Sequence, residues 1–155
     1  MKVSINILLT VLVSTVFSFA EPVKVVYDLT SGDVLTIQHK LLGSVRAVAN
    51  HYADKKEKIE IMVVISGDAY KFFIDDLASS PYANDEEVED IQMHFKPRLE
   101  MLHALYGVTF NMCRSGMLGR KIDKKTLYPY VHADMMKSVY LIDAQNDGYA
   151  YMPIH

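Results

Sequence analysis

Val23–Leu29 reads VKVVYDL, and the next four residues are Thr30-Ser31-Gly32-Asp33. A short, β-branched apolar run closed by turn-forming residues is the pattern of a buried strand followed by a turn. Beyond it, apolar residues fall at Val34, Ile37, Leu41, Val45, Val48 and Tyr52. Steps of three and four put them on one face of an amphipathic helix of about five turns, which Gly43 weakens without stopping. Ile59–Ile65 (IEIMVVI) repeats the strand pattern, and Ser66-Gly67-Asp68 turns into a short helix through Leu77. Strand, helix, strand in this order means parallel strands joined by right-handed crossovers.

The same alternation continues outward from that unit. Ser79–Glu87 (SSPYANDEE) reads as a solvated surface loop. Val88, Ile91, Phe95, Leu99, Leu102 and Tyr106 restore the helical spacing. Pro97 lies inside this stretch, where its ring clashes with the carbonyl of Met93, so a kink or two helices in tandem is expected. Gly107 ends the helix, and VTFNM (108–112) is a third strand running into Cys113-Arg114-Ser115-Gly116. Asp123 is placed to cap a short helix toward Tyr128, with Pro129 closing it. Val131-His132-Ala133 is a fourth strand, Asp134 is placed to cap a helix through about Gln145, and Asn146-Asp147-Gly148 is a strong turn. YAYMPI (149–154) is the last strand. The expected class is α/β, a three-layer α/β/α sandwich with a mainly parallel sheet of about five strands. The alternation alone leaves the strand order open.

Residues 1–20 have the three parts of a secretory signal: Lys2, an apolar stretch from Ile5 to Phe17, and Ser18-Phe19-Ala20 with small residues at both cleavage-recognition positions. As a membrane anchor the run is short and is interrupted by Asn6, Thr10 and Ser14. Residues 21–155 are then one exported domain, periplasmic or secreted, with no membrane association after cleavage. The chain carries 16 Lys/Arg against 19 Asp/Glu, a net charge of −3. Without clustered basic residues, nucleic acid and anionic membrane surfaces are not its partners.

In a parallel sheet, ligands bind at the carboxyl ends of the strands, near a switch in strand order. That edge collects Thr30, Ser31 and Gly32 after the first strand, Ser66 and Gly67 after the second, and Cys113, Arg114, Ser115 and Gly116 after the third. Small polar residues and glycines leave N–H groups free to meet an anion, though they also serve simply as helix caps. Cys113 is the one cysteine of the chain. Directly after a strand, with Arg114 adjacent and Arg120 and Lys121 near, it is either a reactive thiolate or a buried filler. The nine Met and six His fall into no ligand cluster, so no metal is expected. With no G-x-G-x-x-G, P-loop or G-x-S-x-G pattern, no nucleotide cofactor and no serine nucleophile are expected.

Val25-Val26-Tyr27-Asp28-Leu29, then Gly107-Val108-Thr109-Phe110-Asn111-Met112-Cys113 with Met117, Arg120 and Ile122, and finally Gly148-Tyr149-Ala150-Tyr151, resemble the DsrE/DsrF-like family. The most specific part is a strand-ending cysteine with a basic residue seven positions on. The resemblance implies a three-layer sandwich assembled as a homo-oligomer, a trimer or hexamer. It also implies a cysteine that carries sulfur as a persulfide between donor and acceptor proteins or small thiols. Ser115 stands where many similar exported proteins have Asn, and the family's relay members work in the cytoplasm as hetero-oligomers. The leading expectation is an exported sulfur carrier or sulfurtransferase-like protein holding sulfane sulfur on Cys113, with Arg114, Ser115 and Gly116 stabilising the anionic sulfur. The alternative is a non-catalytic oligomeric module that binds a small anion or partner, with the cysteine incidental. The signal reading has a direct test. The purified exported protein should begin at Glu21, whereas N-terminal sequencing that finds Met1 or Lys2 on membrane-extracted material overturns it.

Overall fold

Five strands, β1 (Val23–Leu29), β2 (Ile59–Ile65), β3 (Thr109–Met112), β4 (Val131–His132) and β5 (Ala150–Ile154), form one sheet in the order β4-β3-β2-β1-β5. The structure is a computed structural model and describes residues 21–155; the expected signal, residues 1–20, lies outside the described residues. Every neighbouring pair is parallel. β1 and β2 run in full register from Val23 opposite Ile59 to Leu29 opposite Ile65. β5 lies along the other side of β1, with Val25 opposite Ala150 and Leu29 opposite Ile154.

The connections explain the layers. β1 to β4 step one way across the sheet, so right-handed crossovers keep their helices on one face. That face carries α1 (Val34–Thr36), a π-helical segment (Ile37–Gly43), α2 (Ser44–Asp54) and α3 (Glu86–Tyr106). It also carries a 3₁₀ turn (Ala69–Phe73) and α4 (Arg114–Gly119). Against Val25, Tyr27, Leu29, Ile61, Val63, Ile65, Phe110 and Met112 they build the main core. The step from β4 to β5 goes back across the sheet, and its helix, α5 (Lys137–Asn146), covers the opposite face. There Tyr140 and Ala144 close over Val26 and Val64. The expected three-layer α/β architecture with a five-stranded parallel sheet is what the chain forms.

Local departures have physical reasons. The helix after β1 contains a π segment, and its buried residues include Ile37, Leu41, Val45 and Ala49. A strict spacing of four drifts about 40° per step around a 3.6-residue helix. The wide turn takes up part of that drift, so the apolar side stays on the sheet. The stretch after Ser66-Gly67-Asp68 is 3₁₀ only as far as Phe73, and Ile74 then bridges Leu127 instead of continuing a helix to Leu77. α3 is one helix across Pro97, not two in tandem. Phe95 and Leu99 anchor it in the core on both sides of the proline. Met93, whose carbonyl loses its partner, is exposed, so water can take the place of the missing N–H. Asp123 caps only a 3₁₀ turn, Lys124–Thr126, accepting from the Lys125 N–H at 2.9 Å. Asp134 does not cap α5. Met136 is its N-cap, and the Asp134 carboxylate pairs with Lys124 at 2.6 Å.

Phe110 is fully buried in β3 and packs on Phe73 with ring centroids 5.5 Å apart. Phe110→Ala should lower unfolding stability by about 3–5 kcal/mol. Asp85 caps α3 from the surface, accepting from Val88 N–H at 3.1 Å. Asp85→Ala should cost only about 1 kcal/mol. Urea denaturation of the two variants checks both the sizes and their order.

Candidate functional site

The carboxyl edge of the sheet opens where neighbouring connections leave for opposite faces. After β3 the chain turns into α4 on the main-core side, and after β4 it turns into α5 on the other side. Cys113 lies at that divergence, between β3 and α4. Its N–H extends the ladder by donating to Ile65 O of β2 at 2.8 Å. The Arg114 N–H donates to Met135 O at 2.9 Å, tying the start of α4 to the segment that leads into α5.

The thiol is half-buried and unpaired. Burial is the largest single influence on it and pushes its pKa up. Four donors outweigh burial: the N–H groups of Gly116 and Lys137, the Tyr70 hydroxyl, and the Ser115 N–H. The net result is a thiol held below its ordinary value. Lys137 is the first residue of α5, and its N-cap, Met136, has no side chain able to cap. The N–H groups of a first helical turn have no partner within the helix. One of them, that of Lys137, is among the groups that lower the Cys113 thiol.

Tyr70 comes from the 3₁₀ turn after β2 and donates to the Cys113 carbonyl at 3.0 Å, and its hydroxyl also helps to lower the thiol. Burial, and then the charge on Cys113, hold the Tyr70 phenol well above its usual pKa, so it stays a proton donor. Arg120, seven residues after Cys113, lies over the Tyr70 ring with its guanidinium carbon 4.8 Å from the centroid. It also reaches Asp68 at 3.3 Å. Its link to the sulfur thus runs through Tyr70. Gly116 is required for this arrangement, because a Cβ there would collide with the Tyr70 hydroxyl.

The other edge residues divide in two. Ser66 directly follows Ile65, the backbone partner of Cys113, and its own N–H bonds Leu29 O at 2.9 Å. Gly67 has a positive φ of 63° and packs on the Thr30 carbonyl, while Gly32 packs against Asp68. Thr30 bonds His155 Nδ1 at 2.8 Å, and Ser31 N–H bonds Ile154 O at 3.4 Å. Thr30, Ser31, Gly32, Ser66 and Gly67 therefore join the loops after β1 and β2 to the end of β5. The main-chain N–H groups of Ser115 and Gly116 help to lower the thiol, although Cys113, the N-cap of α4, makes no side-chain capping hydrogen bond. The exposed side chain of Arg114 lies elsewhere, lining a groove of about 550 Å³ with Leu118, Asp123, Lys124 and Asp134. It is not among the groups that most lower the thiol. Tyr70 and Lys137 lie outside the sequence-based set. Each is brought to Cys113 by a different strand, and no spacing along the chain signals that. Among the described residues, no group of three or more His, Cys, Asp or Glu is placed to hold a metal.

A parallel sheet with a half-buried thiol at its carboxyl-edge divergence defines a single-cysteine α/β protein. The chain belongs to the DsrE/DsrF-like family, which matches residues 27–154. It is 29% identical over 142 residues to an uncharacterized protein of Aquifex aeolicus (strain VF5), covering 92% of this chain and 60% of that one. The chain thus spans less than two thirds of the curated relative it matches. Among solved structures it is similar to MTH1491, a protein of unknown function from Methanobacterium thermoautotrophicum. The TM-score is 0.60 at 21% identity, over 84% of this chain and 98% of that one. The ychN protein from E. coli gives a TM-score of 0.49 at 15% identity, over 86% and 98%.

The donors around Cys113 make a testable pair. Tyr70→Phe and Gly116→Ala should each raise the midpoint of thiol alkylation against pH, by roughly half a unit to one unit. The native thiol titrates below the unfolded one, so its stabilising contribution is complete above about pH 8.5 and is lost as pH falls through the native midpoint. Cys113→Ser should therefore flatten the stability curve across that window, as read by urea unfolding at a series of pH values.

Proposed function

We propose that this protein is an exported sulfur carrier or sulfurtransferase-like member of its family, holding sulfane sulfur on Cys113. The observation that carries this reading is one half-buried thiol at the carboxyl end of β3, between the starts of α4 and α5 and beside the Tyr70 hydroxyl, held below its ordinary pKa by the N–H groups of Gly116, Lys137 and Ser115 and by Tyr70. Such donors favour an anionic sulfur, which is both the attacking and the carrying form. The Cys113 thiolate attacks the outer sulfur of a donor persulfide, R–S–SH. The donor S–S bond breaks, R–S⁻ leaves with the bonding pair, and Cys113–S–SH forms. An acceptor thiolate then attacks that outer sulfur, becomes R′–S–SH, and returns Cys113 as thiolate. Atoms, charge and oxidation level balance across the two steps. With one cysteine per chain, the acceptor is another molecule or another subunit.

The donor and acceptor are small thiols or proteins that reach the carboxyl edge. The domain acts outside the cytoplasm as a homo-oligomer, a reading that draws support from the sheet's edge strand. β5 leaves Tyr151 and Met152 exposed, and Met152 lines an apolar groove of about 410 Å³ beside Val23, Val25 and Tyr27. Aromatic residues and Met are enriched in interface cores.

Exposure to polysulfide, followed by intact-mass measurement, tests the chemistry. The protein should gain the mass of one or more sulfur atoms, release it to a reducing thiol, and lose the gain in Cys113→Ser. Native protein that takes up no sulfur, with a thiol that reacts only after unfolding, leaves the binding-module reading in its place.

A further inference from the structure

Lys137 is held at both ends. Its main-chain N–H is among the groups that lower the Cys113 thiol, the Met135 carbonyl two residues before it accepts from the Arg114 N–H at 2.9 Å, and its ammonium lies 2.8 Å from Asp28 Oδ1. Asp28 belongs to β1, two strands from β3 in the sheet, and is only 3% exposed. Its second carboxylate oxygen accepts from the Tyr151 hydroxyl of β5 at 2.8 Å. A carboxylate buried this deeply is tolerated only when paired, and Lys137 is its one cationic partner among the described residues. The start of α5 has few other restraints. The Tyr140 hydroxyl accepts from the N–H groups of Asp134 and Met135 at 3.0 and 3.2 Å, and Arg114 N–H holds the Met135 carbonyl.

We propose that Asp28 is a positioning residue for Cys113: the buried Asp28–Lys137 ion pair, backed by Tyr151, fixes the first turn of α5 where Met135 meets the Cys113–Arg114 turn. The proposal rests on the thiolate half of the functional reading and not on sulfur being the cargo. It makes the reactivity of a residue at the end of β3 depend on a carboxylate at the end of β1.

The groups around the sulfur set the sign of the test. Tyr70 approaches from the 3₁₀ turn, backed by Arg120 and Asp68. Lys137 approaches from α5, backed by Asp28 and Tyr151, and the Arg114 side chain lies toward Asp134. Removing the Asp28 charge could act in two opposite ways. A freed Lys137 ammonium swinging onto the sulfur would lower the thiol midpoint, whereas a displaced N–H would raise it. Positioning requires the rise.

The experiment is the rate of iodoacetamide alkylation against pH for the purified protein and for Asp28→Asn, Lys137→Gln and Tyr151→Phe. Each is compared with its own denatured control, and circular dichroism checks folding. Asp28→Asn should move the native midpoint upward and slow alkylation at neutral pH by roughly threefold to tenfold, with denatured rates unchanged. Tyr151→Phe, which keeps the ion pair and removes one hydrogen bond, should shift it less in the same direction. A folded Asp28→Asn protein with an unchanged or lowered midpoint overturns the proposal. If Asp28→Asn does not fold, an unchanged midpoint in folded Tyr151→Phe and Lys137→Gln overturns it equally. A midpoint that rises as stated in a protein that takes up no sulfur from polysulfide keeps the positioning role and removes the sulfur-carrier reading.

Discussion

The return of the chain from β4 to β5 is the constraint on which the site depends. Every earlier connection steps to the adjacent strand and stays on one face, as right-handed crossovers require. The last one travels back past β3, β2 and β1 to pair with the far side of β1, so its helix must use the other face. The segments after β3 and β4 therefore part company, and Cys113 lies where they diverge. The same return brings the segment before α5 to the Arg114 N–H beside Cys113 and the Tyr151 hydroxyl to Asp28. The second layer, the cleft and the polar cluster beneath it follow from one topological step.

The electrostatics of the thiol rest on main-chain dipoles more than on charged side chains. An exposed arginine in water is screened by salt and gives up side-chain entropy to reach an anion. The N–H groups of Ser115, Gly116 and Lys137 are already fixed by the elements that carry them. A hydrogen bond to a charged acceptor is worth about 1.5–3 kcal/mol. Several of them can therefore outweigh the cost of half-burying the sulfur, which is the balance found here. Arg120 works at one remove, by packing on the ring whose hydroxyl meets Cys113.

Much of the fold is legible in the sequence because its central strands, β1 and β2, are largely buried on both faces and its helices on one. VKVVYDL and IEIMVVI admit few other readings, and the order of elements fixes the class. Cys113 is legible as well, since a residue directly after a strand must face the edge. Less legible is whatever depends on a partner distant in the chain. Asp134 has the chemistry of a cap, but Lys124 is near enough to claim it. Pro97 has the chemistry of a helix breaker, but the core contacts on either side outweigh the one hydrogen bond it removes. Arg114 is adjacent to the cysteine in sequence and lines a groove with Asp134, while Tyr70, 43 residues before it, bonds its carbonyl and Lys137, in the next helix, helps to lower its thiol. Adjacency along a chain at the end of a strand says little about direction, because the turn that follows reorients each successive side chain.

The π segment between β1 and α2 bears on how this chain is compared with others. A wide turn holds one more residue than an α-helical turn, and a helix can gain or lose that residue without changing where its two ends sit. Ile37–Gly43 is therefore a natural place for a one-residue difference in length between homologues. Alignments that forbid gaps inside helices would slip here by one position. They would pair Leu41 with the counterpart of Leu42 and misassign the buried face for the rest of the helix. The strands on either side, pinned in register from Val23 to Leu29 against Ile59 to Ile65, would show the slip as a shift that appears and vanishes within a single helix.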